Sequence, residues 1–560
     1  MNANFNRAAG ALLAALLCPA CSVSAATYYV DFAAGSDAGD GASPAAPFRH
    51  CPGDAAAGQT ARTAILRPGD TVIFKGGVTY RGETIVCASG VAYDGNSAGT
   101  FGSGRAILNG GHDPAHPQCF FARAQSGLIF DHLEVAQWGG HGALPWAGHD
   151  AKYPGWGVYL DNCSSCTVKN CLFDDIGDWL NQADANGNHF GGVGVQVINS
   201  GRDIAIANNE FTRIGLAAIQ LNAYQGSAPA VRDITIAGNN IHDSVVWGVN
   251  LVVNEPHGTL DAVTIAGNRF HDMWQYSPAL WLGAARSWPH TDEIICFLGG
   301  TSGGKQVSPV TLGTVGRPIV IRGNFFYNDA PPSLTAGTAC VFLTNWGGRV
   351  AVCDNIFANV LNHGEGAVYF QDGPGEGNPA PDYWVANNTF YDDDYAVMLR
   401  TVSAPPAAYA LARGSVRIMN NVFYKANDDA AMSVTFGLDD YSRPTVLDYN
   451  IYRTGRPDRC IVHSYDPAPG GAQPAHGYRT LADLRAQGYE RHGALADPGF
   501  VNLSFGLGAR TSSNDFHLRP SSPARGAGSN LSGAPGAGSD FDGQPRPGAG
   551  NWDAGACQVR

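Results

Sequence analysis

Along much of the chain, aliphatic and polar residues alternate in short runs that stop at an asparagine. Ile204 and Ile206, Ile234 and Ile236, and Val416 and Ile418 each lead into such a stop. Alternation with period two marks a half-buried strand. The recurring unit is an aliphatic residue, two variable residues, Asn, one variable residue, then an aromatic or aliphatic one. It occurs around Asn209, Asn239, Asn268, Asn324, Asn355, Asn388, Asn421 and Asn450, and once, as VKNCLF, with Cys171 in the Asn slot. The Asn spacings are 30, 29, 56, 31, 33, 33 and 29 residues. The interval of 56 reads either as two coils, one lacking Asn, or as one coil with a long insertion. Asn tolerates left-handed backbone and bonds nearby peptide groups, so it is expected at a tight corner. Stacked Asn side chains can also bond one above another. A further strand follows each corner, at 193–198, 217–222, 247–252, 366–371 and 395–400. Each repeat therefore predicts about three short strands. One such coil cannot bury its apolar face, whereas stacked coils share a continuous core.

Composition agrees with an all-β chain rich in turns. Glycine numbers 72 of 560 residues, and charged residues are only 15%, while 44% are hydrophobic and 10% aromatic. A disordered chain would be charge-rich and poor in aromatics. Interruption by Gly and Pro excludes a coiled coil, and Gly lacks the three-residue period of collagen. The net charge of −13 and the lack of a Lys/Arg run argue against a nucleic-acid partner.

The N-terminus carries Arg7, an apolar stretch from Ala8 to Ala20, and Val23-Ser24-Ala25. That order reads as a secretory signal at 1–25, with the mature chain beginning near Ala26. The expectation is a bacterial protein that is secreted or periplasmic, with a lipid anchor at Cys21 less favoured because Cys18-Pro19-Ala20 is a poor lipobox. No segment is long enough for a spanning helix. Eleven cysteines remain after the signal, an odd number. Cys163, Cys166 and Cys171 lack a fourth ligand at zinc-like spacing, so a local disulfide or stacked buried thiols are expected there.

The repeat resembles the right-handed parallel β-helix of the pectate-lyase-like superfamily, over roughly residues 27–555. The stretches YYVDFAAGSDAGDGASPAAPF at 28–48 and LRPGDTVIFKGGVTYRG at 66–82 are similar to the opening of secreted β-helix glycan enzymes. YRTLADLRAQGYE at 478–490, ADPGFVN at 496–502, DFHLRPSSPARGAG at 515–528 and DFDGQPRPGAGNWDAGA at 540–556 resemble the tail that closes such proteins. The resemblance implies an all-β solenoid of about ten or more coils. It divides the chain into a cap and first coils at 26–110, the β-helix at 111–470, and a C-terminal segment with a short helix at 471–560. It further implies a monomer and a polysaccharide partner.

It also implies a ligand groove on one parallel sheet, walled by the flanking loops. Alternation then points Gln196, Gln220, Asn222, Asn250, Phe342, Tyr369, Gln371, Met398 and Arg400 outward, with Asn345 and Asp372 at strand ends. His257 lies in the loop behind Asn250. NEPH around it is similar to the DPH signature of alginate epimerases, but Asn254 and Glu255 depart from that pattern, so no role is carried over. The long interval adds Trp274, Tyr276, Trp281 and Trp288 as stacking surfaces for sugar rings, and His290, Asp292 and Glu293 as proton-transfer groups. HTDEI there resembles an H-x-D-x-I strand entry of some β-helix glycan enzymes. Glu365 and Asp372 offer oxygen ligands for Ca²⁺, the one cofactor the sequence suggests. Asp174-Asp175, Asp392-Asp393-Asp394 and Asp428-Asp429 read as turn residues. They resemble the paired carboxylates of polygalacturonases, but that family's basic motif is missing. His242 and His271 share one repeat slot and read as stacked structural histidines.

Two chemistries fit. A lyase acting by β-elimination on a uronate-containing glycan, the leading expectation, needs a base and a cation to stabilise the enolate-like anion. His290 or His257 would be the base, with Arg400 or Arg349 and bound Ca²⁺ as the neutraliser. A glycoside hydrolase needs two carboxyls, for which Asp292, Glu293 and Asp372 are candidates. A non-catalytic glycan-binding or adhesive β-helix is the competing class.

Overall fold

The computed structural model describes residues 24–113, 115–139, 155–177, 191–244, 246–253, 257–273, 291–297, 301–302, 305–306, 311–329, 339–344, 348–360, 366–372, 381–393, 396–401, 415–425, 434–437, 445–454, 462–465, 477–478, 480–503 and 511–559. The sequence motif maps directly onto their backbone. Ile204, Ile234 and Val263 are parallel neighbours in successive coils, as are Phe211, Ile241 and Phe270 on the next side. The described strands form a 26-stranded sheet, which spans two sides of the coil through long bent strands such as Gly192–Ala207, and a 13-stranded sheet on the third side. This is a parallel β-helix. No helix among the described residues is long and apolar enough to cross a membrane.

The asparagines form one buried ladder. From Asn209 to Asn421, each Nδ2 donates to Oδ1 of the next Asn at 2.9–3.1 Å. Each backbone N–H donates to the same oxygen. The second amide proton goes to a carbonyl of the preceding coil, for example Asn239 to Ile206 at 2.9 Å. Cys171 begins the stack by donating its N–H to Asn209 Oδ1. The ladder settles the irregular interval. Asn268 bonds directly to Asn324, and Arg269–His271 pairs with Phe325–Tyr327, so residues 269–323 are one coil with insertions.

One local expectation is displaced by a residue. The left-handed backbone belongs to the position before each ladder Asn, as in Asn208, Gly238, Gly267, Gly323, Asp354, Asn387, Asn420 and Tyr449. The ladder Asn cannot take it, because its own N–H and side chain must both point along the stack. Beyond the corner, Phe270, Phe326, Phe357, Phe390, Phe423 and Tyr452 stack at 4.6–5.2 Å. That spacing matches the distance between hydrogen-bonded strands, ~4.8 Å.

The chain then turns back on itself. A helix, Leu481–Ala486, starts with a capping box between Thr480 and Asp483. Phe500, Phe516 and Leu518 of the following segment pack on Phe325, Tyr327, Tyr391 and Tyr424. Arg546 and Asp354 form an ion pair at 2.7 Å with both side chains fully buried. Ten cysteines are free and buried, including Cys163, Cys166 and Cys171, which are thus thiols rather than a disulfide. Cys460 lies outside the described residues.

Glu490 terminates the ladder. Its Oε1 accepts from Asn450 Nδ2 at 2.6 Å and from Tyr452 Oη at 2.7 Å. Only Gly fits at 493, because a Cβ there would stand 2.0 Å from Glu490 Oε2. Burial outweighs these donors and pushes the Glu490 carboxyl from 4.5 up to about 7. Folding therefore favours the protonated form, and its stabilising share, complete below pH 4.5, is lost as the pH rises through about 7. Glu490→Gln, which never ionises, should be more stable than the parent at about pH 8 by on the order of 2 kcal/mol, with the gain shrinking toward about pH 5. Urea unfolding at both pH values measures this. A second expectation concerns the thiols: a thiol reagent should leave the ten cysteines untouched in the native protein. It should titrate these ten together with Cys460 after denaturation without reductant, whereas a count lower by two would reveal a disulfide.

Candidate functional site

One side of the solenoid combines ordered strands with long insertions. Its strands include Gly155–Ser164, Gly192–Ala207, Ala217–Ala223, Trp247–Val253, Asp292–Phe297, Ala339–Thr344, Val368–Asp372 and Val397–Thr401, paired in that order. Val195, Ile219, Val249, Ile294, Val341, Val368 and Val397 form an inward row in the core. The neighbouring outward row begins polar, with Gln196, Gln220 and Asn250, and continues as Ile295, Phe342, Tyr369 and Met398. In early coils the chain enters this side through a short turn, Gly215-Leu216. Residues 272–291 and 359–367 enter the later strands, and 298–310, 373–380 and 402–414 leave them. Insertions on both sides of the same strands are where a rigid scaffold carries binding walls.

The later part of the outward row is buried. Ile295, Ala339, Phe342, Tyr369 and Met398, with Trp247, form a hydrophobic cluster separate from the core, and none of the first five is more than 3% exposed. Phe342 and Tyr369 stack at 4.7 Å. Tyr369 and Asn250 thus have the expected outward direction but are buried, at 0% and 1% exposure. Two polar atoms in this strip, Asn250 Oδ1 and Trp247 Nε1, are buried without a hydrogen-bond partner.

The other expected groups are dispersed. Gln371 pairs in register with Arg400, and Asp372 with Thr401. His257 is exposed in a left-handed turn behind the Trp247–Val253 strand. Four strand steps separate that strand from the one bearing Arg400, ~19 Å at the usual spacing, so His257 and Arg400 do not share one reaction centre. His290, Trp274, Tyr276, Trp281, Trp288, Asn345 and Glu365 lie outside the described residues, as do Asn254, Glu255, Asp394, Asp428 and Asp429. Among the described residues no group of three or more His, Cys, Asp or Glu is arranged to hold a metal ion. His242 and His271 stack at 4.8 Å on the 13-stranded sheet. Burial lowers the His242 pKa, but Asp243 and Glu210 outweigh it and raise the value above the ordinary range.

A concentration of acid lies where the chain enters the strip. Glu293 stands level with Gly248 and Cys340. A Cβ at Gly248 would meet the Phe270 ring at 3.0 Å, so this slot faces inward, and preceding coils fill it with Gly157, Gly194, Ala218 and Gly248. Glu293 places a carboxylate there with 4% exposure. The Cys340 thiol is pushed well up, first by burial and then by the charges of Glu293, Asp393 and Asp292. The three carboxylates therefore lie in the neighbourhood of one buried thiol. Asp292 Oδ1 accepts from Ala339 N at 3.0 Å, and Asp393 Oδ1 from Val360 N at 2.9 Å. Buried Lys425 donates to the Asp393 carbonyl at 2.7 Å and stands 3.8 Å from Asp392 Oδ1. Sequence reasoning placed Asp393 in a plain turn and overlooked Lys425. Their signal is the short run after the Tyr that ends the repeat, where Lys425 in NVFYKA shares the slot of Asp392 in TFYDDD.

No family model and no curated protein matches the chain. Among solved structures it is similar to pectate lyase Pel9A, with 15% identity, TM-score 0.42, and 96% of this chain and 98% of that chain covered. It is also similar to XylC, solved with xylose, at 12% identity, TM-score 0.47, and coverage of 95% and 98%. A rhamnogalacturonan lyase follows at 13% identity, TM-score 0.41, and coverage of 83% and 99%.

Burial of the outward row makes a clear expectation. Tyr369→Ala removes a stacked ring from a closed cluster and should cost about 3 kcal/mol of stability. Urea denaturation at neutral pH measures the loss; a solvent-facing side chain would cost less than about 0.5 kcal/mol.

Proposed function

We propose that this chain is a polysaccharide-cleaving enzyme, with the glycan over the strip between the Trp247–Val253 and Val397–Thr401 strands. The observation that carries this reading is the pair of orphaned atoms in a buried, aromatic strip, Asn250 Oδ1 and Trp247 Nε1. A buried polar atom without a partner is costly, and such atoms are commonly explained by a ligand or a functional role. Here one accepts and the other donates, which suits the hydroxyl groups of a sugar. Strands repeating every ~4.8 Å suit a ligand with its own repeat.

The acid corner supports hydrolysis as the reaction. Glycoside hydrolysis needs one carboxyl that holds its proton and another that is ionised. Asp292 and Asp393, both buried and each accepting from a backbone N–H, are assigned these two roles. The second reading is β-elimination on a uronate, supported by the exposure of His257 in the chain just past the Trp247–Val253 strand.

The test is incubation of the purified protein with a panel of acidic and neutral polysaccharides. Reducing ends should appear without the ultraviolet absorbance of an unsaturated uronate. That absorbance would identify a lyase instead. Asp292→Asn and Asp393→Asn should each lower turnover at least about 100-fold with the fold retained. Full activity in both would remove them from the reaction. Binding without cleavage across the whole panel would mark a glycan-binding protein.

A further inference from the structure

A second polar site lies outside the strip, at the corner where its first strands bend into the adjoining sheet. A groove of about 540 Å³ opens there, lined by Asn162, Ser164, Ser200, Arg202 and Arg232 among others. Ser164, Arg202 and Arg232 are direct neighbours in register on three successive coils. Two guanidinium-bearing residues thus stand one strand step apart, ~4.8 Å at the backbone.

Neither guanidinium makes a hydrogen bond or ion pair among the described residues, and Arg232 Nε is buried without a hydrogen-bond partner. The nearest acid along the row, Asp261, is already engaged by Arg317 at 3.0 Å, and Arg317 also holds Asp233 at 2.7 Å. No carboxylate lines the groove. The chain carries a net charge of −13, so an unneutralised arginine pair is against the general trend of its surface. Two like charges held side by side repel each other, and an anion between them relieves that repulsion. Ser200 Oγ accepts from Ala230 N at 3.2 Å, which leaves its hydroxyl proton to donate. Asn162 Nδ2 is bonded to Asp161 at 2.8 Å, which leaves its carbonyl oxygen to accept from a hydroxyl.

We propose that this groove binds the carboxylate of an acidic sugar, a uronate unit of the same polysaccharide chain. The forked guanidinium matches a planar carboxylate through paired N–H donors, while Ser200 and Asn162 address neighbouring hydroxyls. The site is continuous with the strip, since the one strand Gly192–Ala207 carries both Gln196 and Arg202. Arg232 lies two coils before the coil of Asp292 and Arg202 three, an axial offset of ~10–15 Å, about the reach of two or three sugars. This inference rests on the polysaccharide reading above and specifies its substrate as acidic.

The test reads binding, so it is independent of cleavage. Isothermal titration calorimetry on the full chain carrying Asp292→Asn would compare a uronate oligosaccharide, its neutral counterpart and a sulfated neutral oligosaccharide. The uronate should bind most tightly, and its affinity should fall as salt is raised. Adding Arg202→Gln and Arg232→Gln together should weaken uronate binding at least tenfold and leave the neutral sugar unchanged. Arg232→Lys, which keeps the charge and loses the fork, should fall between. Both guanidiniums lack partners, so thermal melts of these variants should match the parent. Unchanged uronate affinity in the double variant, or tighter binding of the sulfated sugar, would overturn the proposal. Uronate binding that depends on both arginines, in a protein that cleaves nothing, would uphold it and refute the enzyme reading.

Discussion

The rest of the structure depends on a single column of hydrogen bonds, the buried asparagine ladder. Every rung uses both amide protons, and from Asn239 onward each oxygen is loaded twice, so no rung can shift without orphaning a buried group in the next coil. Leaving one such group unpaired costs about 1–3 kcal/mol, more than a typical paired bond contributes. The ladder is also directional, since each side chain donates toward the C-terminus. Something must receive the last donor. A carboxyl group, whose carbonyl oxygen accepts even when the group holds its proton, suits that end, and Glu490 is brought there by the turn after the Leu481–Ala486 helix.

Because the ladder holds one corner in register, length variation is displaced to the other two. The Asn interval of 56 residues is absorbed without breaking the column, and its excess emerges at 272–291 and 298–310, on either side of the Asp292–Phe297 strand. Insertions at one level of a stack leave the levels above and below undisturbed. Earlier coils enter the same side through short turns such as Gly215-Leu216.

The fold was largely legible in the sequence because it repeats: an Asn that recurs at nearly constant spacing reports on the whole stack. Alternation also gave the direction of Asn250 and Tyr369 correctly. It could not give their burial, which depends on segments distant in sequence. Glu293 escaped the pattern for a different reason. At Gly248 and Val249 two successive positions both face inward, so parity counted through that point is reversed. Arg202 and Arg232 are thirty residues apart and unremarkable singly. Only the coil register makes them neighbours. Asp393 and Lys425 were hidden by their setting, because charged residues after a strand ordinarily face solvent.

The ion pair between Arg546 and Asp354 joins positions 192 residues apart, whereas neighbouring coils contact one another over about thirty. In kinetic terms the coils are local structure and can stack progressively during synthesis. The returning tail has to wait for the final turns of the chain. Contacts that form after the rate-limiting step of folding act on unfolding rather than on folding. The clasp over the 13-stranded sheet is thus placed to prolong the lifetime of the finished solenoid, which is the quantity that counts where a protein has no chaperone to refold it.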